Sequence, residues 1–244
     1  MSGSVEIRLS DPSPQRDLIS EWDTIGPLRD RELASGSDRS FSEVLKPWIL
    51  GNCSEGGDFL EIGCGTGRLA TDLWSVASHV TAIDPSGESV RVARQHDQRT
   101  EYHVSSLSDW VSSESCRTYD VVIANMVLMD VRDLGQFLEQ SRSVLNEGVL
   151  ISTFTHPAFW PRYWGYESSG AYRYDRQLEI SAPFRTRNQA YGIRTTHYHR
   201  PMGDYLSSFI SAGFQLERFE ELRGPENPEE FPFPRFVATV ARVQ

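Results

Sequence analysis

Between residues 58 and 84 the chain places glycines and carboxylates at a spacing that suits a nucleoside-like ligand. Phe59-Leu60-Glu61-Ile62 is an apolar strand pattern that runs into Gly63-Cys64-Gly65-Thr66-Gly67, after which Arg68-Leu69 opens a helical pattern. Glycines at such a turn let the backbone touch a ligand where a Cβ would clash. Twenty-one residues after Gly63, a second apolar run, Val80-Thr81-Ala82-Ile83, ends in Asp84. A carboxylate there can accept both hydrogen bonds of a ribose diol. Arg68 stands where a G-x-G-x-x-G dinucleotide turn needs glycine, and no G-K-[ST] follows to make a phosphate loop. Glu61, just before the turn, suits an ammonium group better than a pyrophosphate. Three histidines are candidates for moving a proton near neutral pH: His156, His197 and His199.

These groups need a scaffold, and the 244 residues supply enough chain for one large domain. The chain is 39% hydrophobic and 24% charged, ordinary for a globular protein. Asp plus Glu outnumber Lys plus Arg by 34 to 24, a net charge of −10 that repels phosphate backbones and anionic membranes. The three cysteines, Cys53, Cys64 and Cys116, lack metal-ligand spacing and form no disulfide framework, which fits a reducing compartment. With no secretory leader and no run of roughly 20 apolar residues, the expectation is a cytoplasmic protein with no membrane or nucleic-acid partner.

Short apolar runs alternate with amphipathic ones after Gly56-Gly57, the pattern of parallel strands joined by crossover helices. Strands are expected at Asp58–Ile62, Val80–Ile83, Glu101–Val104, Tyr119–Ala124 and Val149–Phe154, with helices at Arg68–Val76, Ser86–Gln98 and Leu134–Leu145. This is a doubly wound α/β sheet. Residues 1–17 read as a flexible lead and 18–50 as a helical cap. The core for ligand binding is 56–156, an irregular insert follows at 157–201, and a helix with two more strands occupies 202–244. The insert is rich in aromatics, ten in residues 159–201, and is expected to act as a lid over a small-molecule pocket.

LEIGCGTGRLA followed by TAIDPS resembles the class I S-adenosylmethionine-dependent methyltransferases, and the likeness continues over roughly residues 40–244. YDVVIANMVLMDV resembles that family's fourth strand and loop, SVLNEGVLISTFTHPAF its fifth strand, and HRPMGDYLSSFISAGFQLERFEEL with PRFVATVAR its last helix and hairpin. The resemblance implies a seven-stranded sheet in the order 3-2-1-4-5-7-6 with strand 7 antiparallel. It also implies S-adenosyl-L-methionine as methyl donor, leaving S-adenosyl-L-homocysteine. Gly63, Cys64 and Gly65 would then face the methionine part, Glu61 its amino group, and Asp84 with Pro85 the ribose. Ser106 stands where many relatives have an adenine-binding Asp, with Asp109 as substitute and Leu107 packing on the ring. Asn125 and Met126 would line the sulfonium end. The N/D-P-P-Y/F signature of nucleobase or glutamine methylation is missing after the fourth strand.

The expected activity is methyl transfer to an oxygen, or a nitrogen, of a small secondary-metabolite-like acceptor, by a monomer or homodimer that binds no metal. Alternatives are a small-amine N-methyltransferase, a non-catalytic cofactor-binding subunit, and a nicotinamide-dependent reductase. His156, just past the fifth strand, is the leading candidate base. His197 and His199 are expected on opposite sides of a strand, so that one of them reaches the pocket.

Overall fold

The apolar run Phe59–Ile62 and its neighbours are flanked by glycines, serines and acids that end strands, and they bury both faces as parallel strands require. The computed structural model describes residues 5–9, 18–186 and 190–244. Its elements open with β1 (Glu6–Leu9), α1 (Leu18–Ala34), and a π-helical turn at Ser40–Leu45 continuing into α2 (Lys46–Asn52). Next come β2 (Asp58–Ile62), α3 (Arg68–Leu73), β3 (His79–Asp84), α4 (Gly87–His96), β4 (Glu101–Val104), α5 (Leu107–Val111) and β5 (Tyr119–Asn125). Then follow α6 (Leu134–Ser143), β6 (Leu145–Thr155), α7 (Trp160–Trp164), β7 (Leu178–Arg185) and β8 (Ala190–His199). The chain closes with α8 (Met202–Ser211), β9 (Phe214–Leu222) and β10 (Phe236–Val243).

The main sheet has seven strands in the order β4-β3-β2-β5-β6-β10-β9. Counted within that sheet alone, this is 3-2-1-4-5-7-6, and β10 runs antiparallel to both of its neighbours. The two-residue period of the strands divides their side chains between two cores. Leu60, Ile62, Val122, Leu150 and Phe154 pack with α6 and α8 on one face, whereas Phe59, Val121, Ile123 and Ile151 pack with α3 and α4 on the other. Each large apolar side chain fully buried this way contributes about 1.5–3 kcal/mol.

Two expectations are corrected here. Part of the expected flexible lead, Glu6–Leu9, is a strand, paired antiparallel with β7; the remainder of that lead, 1–4 and 10–17, lies outside the described residues. The insert is also more regular than its sequence suggests. β7 and β8 form a hairpin that completes a second, three-stranded sheet in the order β1-β7-β8. Leu178, Ile180 and Ala182 bury one face of it against Trp164 and Tyr166.

Helix α1 ties the two sheets together. Near its start, Glu21 accepts hydrogen bonds from the Thr196 amide (2.8 Å) and hydroxyl (3.0 Å) on β8. Asp23 accepts from the Ser86 hydroxyl (2.7 Å) and the Glu88 amide (3.1 Å) at the start of α4. Near its end, Asp30 is paired with Arg68 of α3 at 2.7 Å.

Candidate active site

The turn after β2 is built by hydrogen bonds that leave one side of it open. The Gly63 and Cys64 amides both donate to the Ile83 carbonyl, at 2.8 and 3.1 Å. Gly63 has φ +69°, and a Cβ there would sit 2.5 Å from Val127. Gly65 has φ +52° and open space on its Cβ side, so its backbone is free for a ligand to approach.

Two carboxyls face this turn from adjacent strand ends. Glu61 is 2% exposed and its Oε2 has no hydrogen-bond partner. Burial, reinforced by the charge of Asp84, pushes the Glu61 carboxyl well above the usual glutamate range. Asp84 accepts from the Gly65 amide and the Ser86 amide, both at 2.8 Å, and burial raises its carboxyl as well. Among the described residues neither acid has an ion-pair partner. A buried carboxyl and a half-buried one beside it, without a cation, suit a positively charged ligand. S-adenosylmethionine fits this donor set through its ammonium and sulfonium charges, with the open face of Gly65 beside them.

Other residues expected around that ligand fall as follows. Pro85 follows Asp84 at the end of β3, half-buried. Cys64 is buried, and burial pushes its thiol up. Leu107 is buried in the core that includes Ile83 and Trp110. The Ser106 hydroxyl caps α5, accepting from the Asp109 amide (3.1 Å) and donating to the Asp109 carboxylate (2.7 Å). A serine before a short helix captures its free amides, while the Asp109 carboxylate keeps acceptor capacity beyond this one bond. Asn125 accepts from the Thr153 hydroxyl at 2.7 Å, and Met126 holds φ +60°, a strained setting for a side chain with a Cβ.

Past Asn125 and Met126 opens a cavity of about 550 Å³. Trp22 of α1, Trp160 and Trp164 of α7, and Phe184 of β7 line it, so the insert does supply aromatic walls. Polar groups on the wall include Thr195, His197 and Asp130.

The histidines are not placed as the sequence suggests. His156 is 2% exposed, accepts from the Ala158 amide at Nδ1 (3.2 Å) and donates from Nε2 to Glu221 (2.5 Å). Both ring nitrogens are engaged, one by the turn after β6 and one by Glu221 on β9, and the ring lies outside the cavity lining. His197 and His199 lie on the same face of β8, because residues two apart on a strand share a face. Their rings meet Tyr166 and Tyr172, while Tyr198 between them turns to Arg132. His197 reaches the cavity, but burial drives its pKa down to about 3, and its Nε2 is hydrogen-bonded to the Tyr166 hydroxyl at 3.1 Å. His199 donates from Nε2 to the Tyr174 carbonyl (3.0 Å) and stays outside the main cavity.

Asp130 is a half-buried acid on the cavity wall that the sequence alone did not single out. Its carboxyl is driven well above the usual aspartate range by burial, then by Glu21, with Arg200 opposing. The loop that carries it is fixed from behind. Arg200, 2% exposed, donates to the carbonyls of Leu128, Val131 and Arg132, and the Tyr198 amide donates to that of Met129. The available signal was an acid closing the apolar run Met126-Val127-Leu128-Met129 directly after a strand.

Comparison with known proteins agrees with this geometry. The methyltransferase domain family matches residues 60–152. The ubiquinone biosynthesis O-methyltransferase of Bradyrhizobium sp. (strain ORS 278) is 28% identical over 143 residues, 57% of this chain and 54% of that protein. The mitochondrial enzyme of the same name from Homo sapiens is 38% identical over 96 residues, 36% of this chain and 26% of that protein. The chain thus spans about half, or less, of the length of these curated relatives. Among solved structures, the DhpI-SAM-HEP complex aligns with TM-score 0.66 at 20% identity, covering 94% of this chain and all of that one. An S-adenosylmethionine dependent methyltransferase from Mesorhizobium loti aligns with TM-score 0.60 at 19% identity, covering 80% of this chain and 96% of that one. Residues 60–152 match the methyltransferase domain family, and the seven-stranded sheet with the helices around it shares its fold with these solved structures.

Proposed function

We propose that the chain transfers the methyl group of S-adenosylmethionine to an oxygen of a small, ring-bearing acceptor of secondary-metabolite type, and that it does so in the cytoplasm. The observation that carries this reading is the buried Glu61 carboxyl with a partnerless Oε2 beside the open face of Gly65. An α-ammonium supplies the missing cation there, and Asp84 is the acid at the adjacent strand end for the ribose hydroxyls. When bound, S-adenosylmethionine supplies a methyl carbon already activated by its sulfonium leaving group. The protein's own task is alignment and exclusion of water, which can contribute several kcal/mol, on the order of 7–11 in favourable intramolecular systems. Asn125 and Met126 line the aromatic cavity, and the next residue, Val127, is the side chain that a Cβ on Gly63 would meet. The preference for oxygen draws on the O-methyltransferase names of the curated relatives. The cytoplasmic assignment draws on the three free thiols. No described helix is long and apolar enough to cross a membrane.

Two measurements test the proposal together. Calorimetric titration should show S-adenosylhomocysteine binding that saturates, and NAD(P) should not compete for it. Tritium from labelled S-adenosylmethionine should then appear in hydroxylated members of a metabolite panel. Tighter binding of NAD(P) overturns the reading; cofactor binding with no transfer to any panel member favours a non-catalytic subunit.

A further inference from the structure

We propose that Asp130 is the catalytic base, taking the proton from the hydroxyl of the acceptor as that oxygen is methylated. The inference rests on the methyltransferase reading above and assigns the step to an acid on the cavity wall rather than to His197, the one of the three histidines that lines it. Asp130 lines the same cavity as Asn125 and Met126 and lies five residues beyond Asn125 in the chain.

Its setting is that of a base held in reserve. The nearby Glu21 carboxylate is satisfied by the Thr196 amide and hydroxyl. Arg200 faces Asp130 but directs its donors to the Leu128, Val131 and Arg132 carbonyls. From α8, Tyr205 also faces it, and burial raises that phenol's pKa. His197, on the wall of the same cavity, stays neutral because burial pulls its pKa to about 3. Two acids close together, one satisfied and one not, have their proton affinities pushed apart, and the unsatisfied one becomes the stronger base. Burial and Glu21 move Asp130 in that direction. The strained φ of +60° at Met126 and the three carbonyl bonds from Arg200 hold the loop in place.

The step balances as follows. The acceptor O–H bond breaks and its proton passes to an Asp130 carboxylate oxygen. An oxygen electron pair forms the new bond to the methyl carbon, and the carbon–sulfur pair returns to sulfur as a neutral thioether. One positive and one negative charge are thereby cancelled. Because the ionised carboxyl is the active form, turnover should rise with pH through its raised pKa.

The probes are nitrocatechol, whose visible absorption reports loss of its proton, and a panel of substituted phenols. Bound to the wild-type protein with S-adenosylhomocysteine, nitrocatechol should show the phenolate spectrum at a lower pH than when bound to Asp130→Asn. Phenol methylation should fall roughly 10²–10⁴-fold in kcat for Asp130→Asn. The rising limb of its pH profile should disappear, while S-adenosylhomocysteine affinity is retained. Asp130→Glu should restore part of the rate. Equal nitrocatechol spectra, unchanged kcat, or a wild type that binds S-adenosylhomocysteine but methylates no hydroxylated probe would each overturn the assignment. Failure of the wild type to bind S-adenosylhomocysteine would instead overturn the methyltransferase reading beneath it.

Discussion

Replacing Glu61 by Gln isolates the charge at the heart of the proposed cofactor site while keeping the side chain's shape. The carboxyl is 2% exposed, Oε2 has no partner, and Asp84 adds like charge beside it. A hydrogen bond to a charged group contributes about 1.5–3 kcal/mol. Loss of a bond to an α-ammonium should therefore weaken S-adenosylhomocysteine about 10- to 150-fold, measured by calorimetry. The free protein should respond oppositely. In the fold Glu61 holds its proton well above the ordinary value of 4.5, whereas in the unfolded chain it ionises near that value. Its contribution to stability is therefore present below that pH and is lost as pH rises toward the raised value. Each unit by which the fold raises the pKa costs about 1.4 kcal/mol once the pH exceeds both values. Thermal melts of the Gln variant should show a shallower decline across this window and a higher Tm at neutral pH. The remaining slope should include Asp84 and Asp130, whose carboxyls are raised in the same direction. A dissociation constant within about twofold of wild type, too small for one charged hydrogen bond, or an unchanged pH slope, would refute the assignment of Glu61 to the cofactor's amino group.

Two further perturbations probe the scaffold. Gly148→Ala places a Cβ 1.9 Å from the Asp120 carbonyl oxygen, a backbone atom that cannot step aside. Urea unfolding should show a loss of about 3 kcal/mol, and no loss would contradict the β5–β6 register. His156→Phe removes the bonds to the Ala158 amide and Glu221. The expected result is a stability loss of about 1–3 kcal/mol with kcat and cofactor affinity retained; a fall in kcat without a change in Tm would return that histidine to the chemistry.

Elements with strong local patterning were legible in the sequence. Asp58–Ile62 and Glu101–Val104 appear with the expected bounds, because short apolar runs between turn residues have few alternative conformations. The glycine turn with Glu61 and Asp84 was legible because its spacing is itself the geometry. The hairpin of β7 and β8 was not, since the aromatics of the insert satisfy one another across α7 and the second sheet, without a single repeating face. Its β1 partner lies about 170 residues away in sequence, and no local signal could pair Ile7 with Ile180. The capping role of Ser106 was not legible as distinct from a ligand contact, because one hydroxyl serves equally well as either. His197 and His199 misled through a misapplied strand period, and Asp130 was hidden because an acid in a loop ordinarily faces water.

Helix α1 gives the molecule a property beyond its two compartments. Its Asp23 and Asp30 hold the elements flanking the cofactor turn, its Trp22 is part of the aromatic wall, and its Glu21 grips β8. A guest that steadies this helix from one side lowers the ordering cost for a guest on the other, and by reciprocity each must tighten the other by the same factor. If both guests of the proposed reaction order this helix, arrival is cooperative and departure as well, since losing one product relaxes the hold on its companion.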